Sequence, residues 1–134
     1  MIADEVLTVA TPEPTAMTDA YSVMKILNDR KKDAEIGLVI NRVRNLDEYR
    51  HSSSILTATA KKFLNKDIKN LGYVLEDNYV RDTLFKKVPF VIYYPESKAS
   101  LCVRNLADKF LENNNQSKES IISKLKIWFT GHGR

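Results

Sequence analysis

Two apolar runs end in residues that could do chemistry. Ile36-Gly37-Leu38-Val39-Ile40 stops at Asn41-Arg42, and Leu71-Gly72-Tyr73-Val74-Leu75 stops at Glu76-Asp77. A side-chain amide donates and accepts hydrogen bonds at once, which suits the edge of a nucleobase. It is equally a common turn residue at a strand end, and the residues alone leave both readings open for Asn41. Glu76 and Asp77 either border the same crevice or begin a helix, where acids favour the positive end of the dipole. A third group, Glu13, Thr15 and Asp19, lies in and just after Thr11-Pro12-Glu13-Pro14-Thr15. A proline-stiffened loop holding a carboxylate suits a docking surface; alternatively Thr15 caps a helix and Asp19 is solvated.

The fourth group is the tail. On a helical projection Ile121, Ile122, Leu125, Trp128 and Phe129 share one apolar arc, with Lys124 and Lys126 flanking it and Ile127 breaking the pattern. Lysines so placed can snorkel toward lipid phosphates, and Trp favours a bilayer interface. A helix packed on its own domain or held in a partner's groove has the same pattern. The tail nets +3 from Ser117 to Arg134 out of +4 for the whole chain. Its charge is therefore local rather than a basic face for nucleic acid.

Other chemistry is poorly supplied. Cys102 is the only cysteine and falls on the apolar side of a helix, so a buried structural thiol is expected rather than a nucleophile or zinc ligand. His51 and His132 are the only histidines; His51 opens a helix near Asp47 and Glu48 and reads as solvated. The 134 residues are 43% hydrophobic and 28% charged, which excludes a disordered or low-complexity chain. No apolar run approaches the roughly 20 residues needed to span a bilayer, and the acidic N-terminus is no signal peptide. A soluble domain of a reducing compartment is expected.

The elements that must hold these groups alternate. Glu5–Ala10 reads as a buried strand and Thr15–Leu27 as a helix capped by Thr15. Ile36–Asn41 reads as a second strand, His51–Asn65 as a helix and Leu71–Leu75 as a third strand. Tyr79–Leu84 suggests a short helix, Val88–Pro95 a packed loop or edge strand, and Ser97 caps a last helix to Leu111. Strands apolar on both faces and alternating with helices predict an α/β fold with a parallel sheet and right-handed crossovers. Three strands leave two hazardous edges, so either the chain oligomerises through them or it is part of a larger fold. Residues 1–112 form the domain, 113–117 (Asn113-Asn114-Asn115-Gln116-Ser117) a polar linker, and 118–134 the amphipathic basic tail.

Ala3-Asp4-Glu5-Val6-Leu7-Thr8-Val9-Ala10-Thr11-Pro12-Glu13-Pro14-Thr15-Ala16-Met17-Thr18-Asp19-Ala20-Tyr21 resembles the MinD/ParA group of P-loop ATPases, most closely its FlhG/FleN/YlxH flagellar regulators. Leu38-Val39-Ile40-Asn41-Arg42-Val43 and Leu71-Gly72-Tyr73-Val74-Leu75-Glu76-Asp77 extend the resemblance, as do Val88-Pro89 and the Ser97–Leu111 segment. The likeness covers the C-terminal half of the family domain. It implies a partial doubly wound parallel sheet of the P-loop NTPase kind, with helices on both faces and a C-terminal amphipathic helix. It assigns Asn41, with Arg42, Glu76 and Asp77, to the adenine side of a nucleotide site; Leu75 replaces the family's usual proline there. It assigns Glu13, Thr15 and Asp19 to the surface facing a partner subunit. It makes Ile121, Ile122, Lys124, Leu125, Lys126, Trp128 and Phe129 a membrane-targeting helix.

The family uses ATP with Mg²⁺, forms homodimers, and works at an anionic membrane surface with flagellar assembly proteins such as the FlhF GTPase. That implies a cytoplasmic location, peripheral at the inner face of the plasma membrane. A phosphate-cradling loop needs clustered glycines, and Gly37, Gly72, Gly131 and Gly133 form none. The expectation is therefore a truncated ATPase with no hydrolysis by this chain alone. The other readings are a non-enzymatic membrane-associated adaptor of the flagellar or division machinery, and a less well matched partition ATPase fragment.

Overall fold

The computed structural model describes residues 5–113 and arranges them as β1 (Glu5–Ala10), α1 (Pro14–Arg30), β2 (Glu35–Val43), α2 (Leu46–Leu64), β3 (Lys69–Leu75), α3 (Asn78–Lys86), α4 (Phe90–Tyr93) and α5 (Lys98–Asn113). The three strands form one parallel sheet in the order β1-β2-β3. The α/β parallel architecture expected from the alternation is the one observed.

One face of the sheet carries the core. Ile36, Leu38 and Ile40 of β2 are buried with Met24 of α1 and Leu56 of α2, and Met17, Tyr21 and Leu27 pack around them. The apolar spacing along α1 thus has a partner for every turn. Tyr49 of α2 ties this layer to β3: its hydroxyl lies 2.9 Å from Asn70 Oδ1, and its ring centroid 4.8 Å from that of Tyr73. On the opposite face α5 lies over β3, with Leu106 against Gly72. Helices therefore flank both faces, but α5 leaves β1 open.

Several local expectations are corrected. Thr15 does not cap α1: the cap is Glu13, which makes no side-chain bond, and Pro14 opens the helix. Proline at the first helical position loses nothing, because its missing N–H would have no helical partner. The second helix begins not near His51 but at Leu46, where the Asn45 side chain accepts from the Glu48 N–H. His51 accordingly sits inside α2. Val88–Pro95 is neither loop nor edge strand; it contains the single-turn α4, with Pro89 preceding it. Cys102 is half-buried rather than fully buried. β1 is not buried on both faces: Leu7 and Val9 are 53% and 55% exposed.

Residues 114–134 lie outside the described residues, and with them the expectations placed on Ile121, Ile122, Lys124, Leu125, Lys126, Trp128 and Phe129. Among the described residues no helix is long and apolar enough to cross a membrane.

Candidate nucleotide-base site

The central strand ends irregularly. The β2–β3 register breaks between Ile40 and Val43, and Arg42 adopts φ 58°, a left-handed conformation that costs a non-glycine residue energy. A bulge of this kind re-aims side chains at the end of a strand. Here it brings the Arg42 N–H to the Asn41 Oδ1 at 2.9 Å. That bond fixes which end of the amide is oxygen and leaves both Nδ2 protons for another acceptor.

The start of α2 holds the bulge in place. Arg44 donates from its backbone to Glu48 Oε2 at 2.7 Å, and its guanidinium reaches Glu48 Oε1 at 2.9 and 3.2 Å. With Asn45 capping from the other side, this is a reciprocal cap around the first turn of α2. The Arg44 bonds hold Glu48 below the usual carboxylate range. Asn45 and then Glu48, at a spacing of three, are the sequence signal for this helix start, and hydrophobic periodicity alone misses it.

β3 ends beside the bulge. The Glu76 N–H donates to the Val43 carbonyl at 2.9 Å, and Glu76 Oε1 accepts from Arg42 at 3.3 Å across the strand ends. Asp77 is engaged on both oxygens. Oδ1 accepts from the Tyr79 N–H at the start of α3, and Oδ2 from the Ala99 N–H at the start of α5, each at 3.0 Å. Desolvation works against ionisation of this carboxyl, but the two backbone donors, with Lys98 and Ser97, outweigh it and hold Asp77 low. Asp77 thus caps two helices, of which the helix-start reading anticipates only the first.

These groups border a cavity of about 780 Å³. Asn41, Arg42, Glu76 and Asp77 all line it, and α3 adds Asn78 and Arg81 to its polar rim. The floor is apolar: Leu7, Val9, Val39 and Leu71 of the sheet, walled by Leu106 and Phe110 of α5. Its volume falls in the range of small-molecule clefts, and it opens at the carboxyl ends of parallel strands, where ligands of open α/β sheets bind. Sequence reasoning does not single out Asn78 and Arg81; their place after a strand-ending acid pair is the available hint.

The α3 wall is fixed by a polar cluster. Lys86 Nζ lies 2.7 Å from Asp82 Oδ2 and 3.1 Å from the Tyr94 hydroxyl, and 4.3 Å from the Tyr93 ring centroid. Its bonds to Asp82 and then to Tyr94 push the Lys86 ammonium well above the ordinary lysine value. Glu13, Thr15 and Asp19 are exposed around the start of α1, and none of them lines the cavity. Among the described residues no group of three or more His, Cys, Asp or Glu could hold a metal ion.

An open parallel α/β sheet with a cleft at the carboxyl ends of its strands defines the class: an α/β protein with its cleft where such sheets bind ligands. Comparison with known proteins narrows it. No family model matches the chain. It is 33% identical to the antiactivator FleN of Pseudomonas aeruginosa over 107 residues, 80% of this chain and 38% of that protein. An uncharacterized ATP-binding protein of Methanocaldococcus jannaschii is 30% identical over 127 residues, 91% of this chain and 45% of the relative. The septum site-determining protein MinD of Bacillus subtilis is 26% identical over 133 residues, 95% and 48% respectively. The chain belongs to the MinD/ParA-type ATPase family and is FleN-like within it. It spans less than half the length of each of these relatives, an extent that fits a C-terminal half.

Proposed function

We propose that the chain supplies the base-recognising part of a FleN-like, MinD-type nucleotide switch that regulates flagellar number or placement. The observation that carries this reading is the Asn41–Arg42 bulge, which presents a pre-oriented amide at the rim of the cavity. A purine edge offers the acceptor and the amino group that such an amide can meet. The rim carries two cations, Arg42 and Arg81, against two anions, Glu76 and Asp77. A balanced rim suits an uncharged base better than a triphosphate, which needs an excess of positive charge.

On this reading Asn41 contacts adenine, Arg42 and Glu76 frame the mouth, and Asp77 positions α3 and α5 around it. The chain binds the base without hydrolysing ATP, because the phosphate cradle and Mg²⁺ site belong to other parts of the family domain. Glu13, Thr15 and Asp19 face a partner subunit in a homodimer. The tail from Ile121 to Phe129 attaches the protein peripherally to an anionic membrane, and flagellar assembly proteins are its partners.

Titration calorimetry tests the base site. Adenosine and ATP bind with affinities within about threefold of each other, and Asn41→Ala weakens both at least tenfold without lowering the melting temperature by more than a few degrees. Binding of ATP far tighter than adenosine, or indifference to Asn41→Ala, overturns the reading. Co-sedimentation with anionic vesicles tests the tail: Trp128→Ala releases the chain into the supernatant, and a wild-type chain that never sediments removes the membrane assignment.

A further inference from the structure

α3 and α4 carry apolar side chains that the core does not use. Phe85 and Leu84 are 84% and 72% exposed, more than any other large apolar residue described, and Ile92 and Tyr93 of α4 are half exposed. A lone exposed leucine is ordinary on a protein surface, but a group of such residues on one helix pair marks a contact. Thr83 is buried and Leu84 lines the cavity, whereas Phe85, about 100° further round the helix, belongs to neither.

The helix pair is clasped. The Tyr94 hydroxyl donates to Asp82 and accepts from Lys86, the Lys86 ammonium lies over the Tyr93 ring, and the Tyr79 and Tyr94 rings pack at 4.4 Å between centroids. The clasp fixes the orientation of both helices and with it the outward position of Phe85. Charge on the pair is one-sided. From Asn78 to Tyr94 the cations are Arg81, Lys86 and Lys87, and the one anion is Asp82. Asp82 is spent on Lys86, and among the described residues Arg81 and Lys87 enter no ion pair.

We propose that the α3–α4 pair is a lipid-contacting surface, on which Phe85 enters the interface of an anionic bilayer, Ile92 and Tyr93 lie beside it, and Lys87 and Arg81 meet lipid phosphates. A protruding phenyl ring, neighbouring tyrosines and unpaired cations match the acyl, interfacial and phosphate layers of such a surface. An apolar protein pocket is a poorer match, because the two cations would lose water there without gaining a partner. One short helix binds weakly by itself, and its effect is to add to other attachments of the same molecule. The proposal rests on the membrane part of the functional reading but not on the tail.

Sedimentation of the 134-residue chain with vesicles of phosphatidylglycerol and phosphatidylcholine tests it. Phe85→Ser is expected to lower the partition coefficient about fivefold, and Lys87→Glu about as much, the second effect fading at high salt. Both variants keep the wild-type circular dichroism, because both side chains are exposed. Phe85→Trp in a Trp128→Phe background gives a direct reading: indole emission shifts to the blue on adding vesicles and is quenched by lipids brominated on their acyl chains. Binding lost with Trp128→Ala but untouched by Phe85→Ser overturns this surface and leaves the tail assignment standing. The opposite pattern supports the surface and removes the tail, and a wild-type chain that ignores anionic vesicles overturns both. Emission already blue without vesicles assigns Phe85 to a cover of protein, the tail or a second copy, and overturns the proposal. Binding that depends on Lys87 but not on Phe85 is a contact any polyanion could make, and it too overturns it.

Discussion

Two faces of the same three strands have opposite fates. On one, Ile36, Leu38 and Ile40 are sealed beneath α1 and α2; on the other, Leu7 and Val9 remain half exposed while α5 covers only the β3 side. The side chains are of similar size and apolarity, so composition does not separate them. What differs is whether a helix within these residues reaches over the strand. A covered face contributes stability, and an open one is available for recognition.

The sharpest way to break the contrast is to remove equal volumes from each side. Leu38→Ala, at 0% exposure in the central strand, is expected to cost about 2–5 kcal/mol in urea unfolding. Leu7→Ala is expected to cost less than about 1 kcal/mol in the isolated chain, because the side chain is only half removed from water. Equal losses would mean that the open face is packed in solution.

Gly72→Ala probes the α5 side. Its φ of 144° disfavours any side chain, and an added Cβ would stand 2.9 Å from Leu106 Cδ2. A loss of about 1–3 kcal/mol is expected, partly recovered by shortening Leu106 to alanine. Asp77→Ala, which removes caps from both α3 and α5, is expected to cost about 1–2 kcal/mol. The pH dependence has a definite sign. Because the folded carboxyl is held below its ordinary value of 3.8, its contribution is complete above that pH and fades as pH falls through the lower folded value. Asp77→Asn should flatten that part of the acid limb.

The smallest effect is expected at Arg42→Gly. Glycine relieves the left-handed backbone, and the lost ion pair to Glu76 is weak because its side chains are 57% and 47% exposed. The net change in stability should stay within about 0.5 kcal/mol. A larger loss would show that the bulge depends on the arginine side chain rather than on the clamp from Arg44 to Glu48.

Much of the fold is legible because apolar periodicity reports burial directly. The unbroken apolar run of β2 marks a strand covered on both faces, and it is one; the alternation of strands and helices points to the parallel order. Boundaries governed by capping are harder. α2 begins five residues before the hydrophobic pattern suggests, because Asn45 and Glu48 start it while contributing nothing apolar. Thr15 looks like a cap, yet Pro14 already supplies the required φ and makes that cap unnecessary. The proline-bracketed stretch at Val88–Pro95 hides a single helical turn, since Pro89 is compatible with the position preceding one.

The sequence by itself determined the type of every element except the single-turn α4, the position of polar residues at the strand ends, and the family signature that runs from Ala3 through β1 into α1. These arise from local spacing, which each segment carries with it. Only the tertiary structure decided that Asn41, Arg42, Glu76 and Asp77 border one cavity, that Asp77 spends both oxygens on helix starts, and that Leu7 and Val9 look outward. Each of those depends on which element lies across from which, and contacts between residues distant along the chain leave no trace in the spacing of either partner.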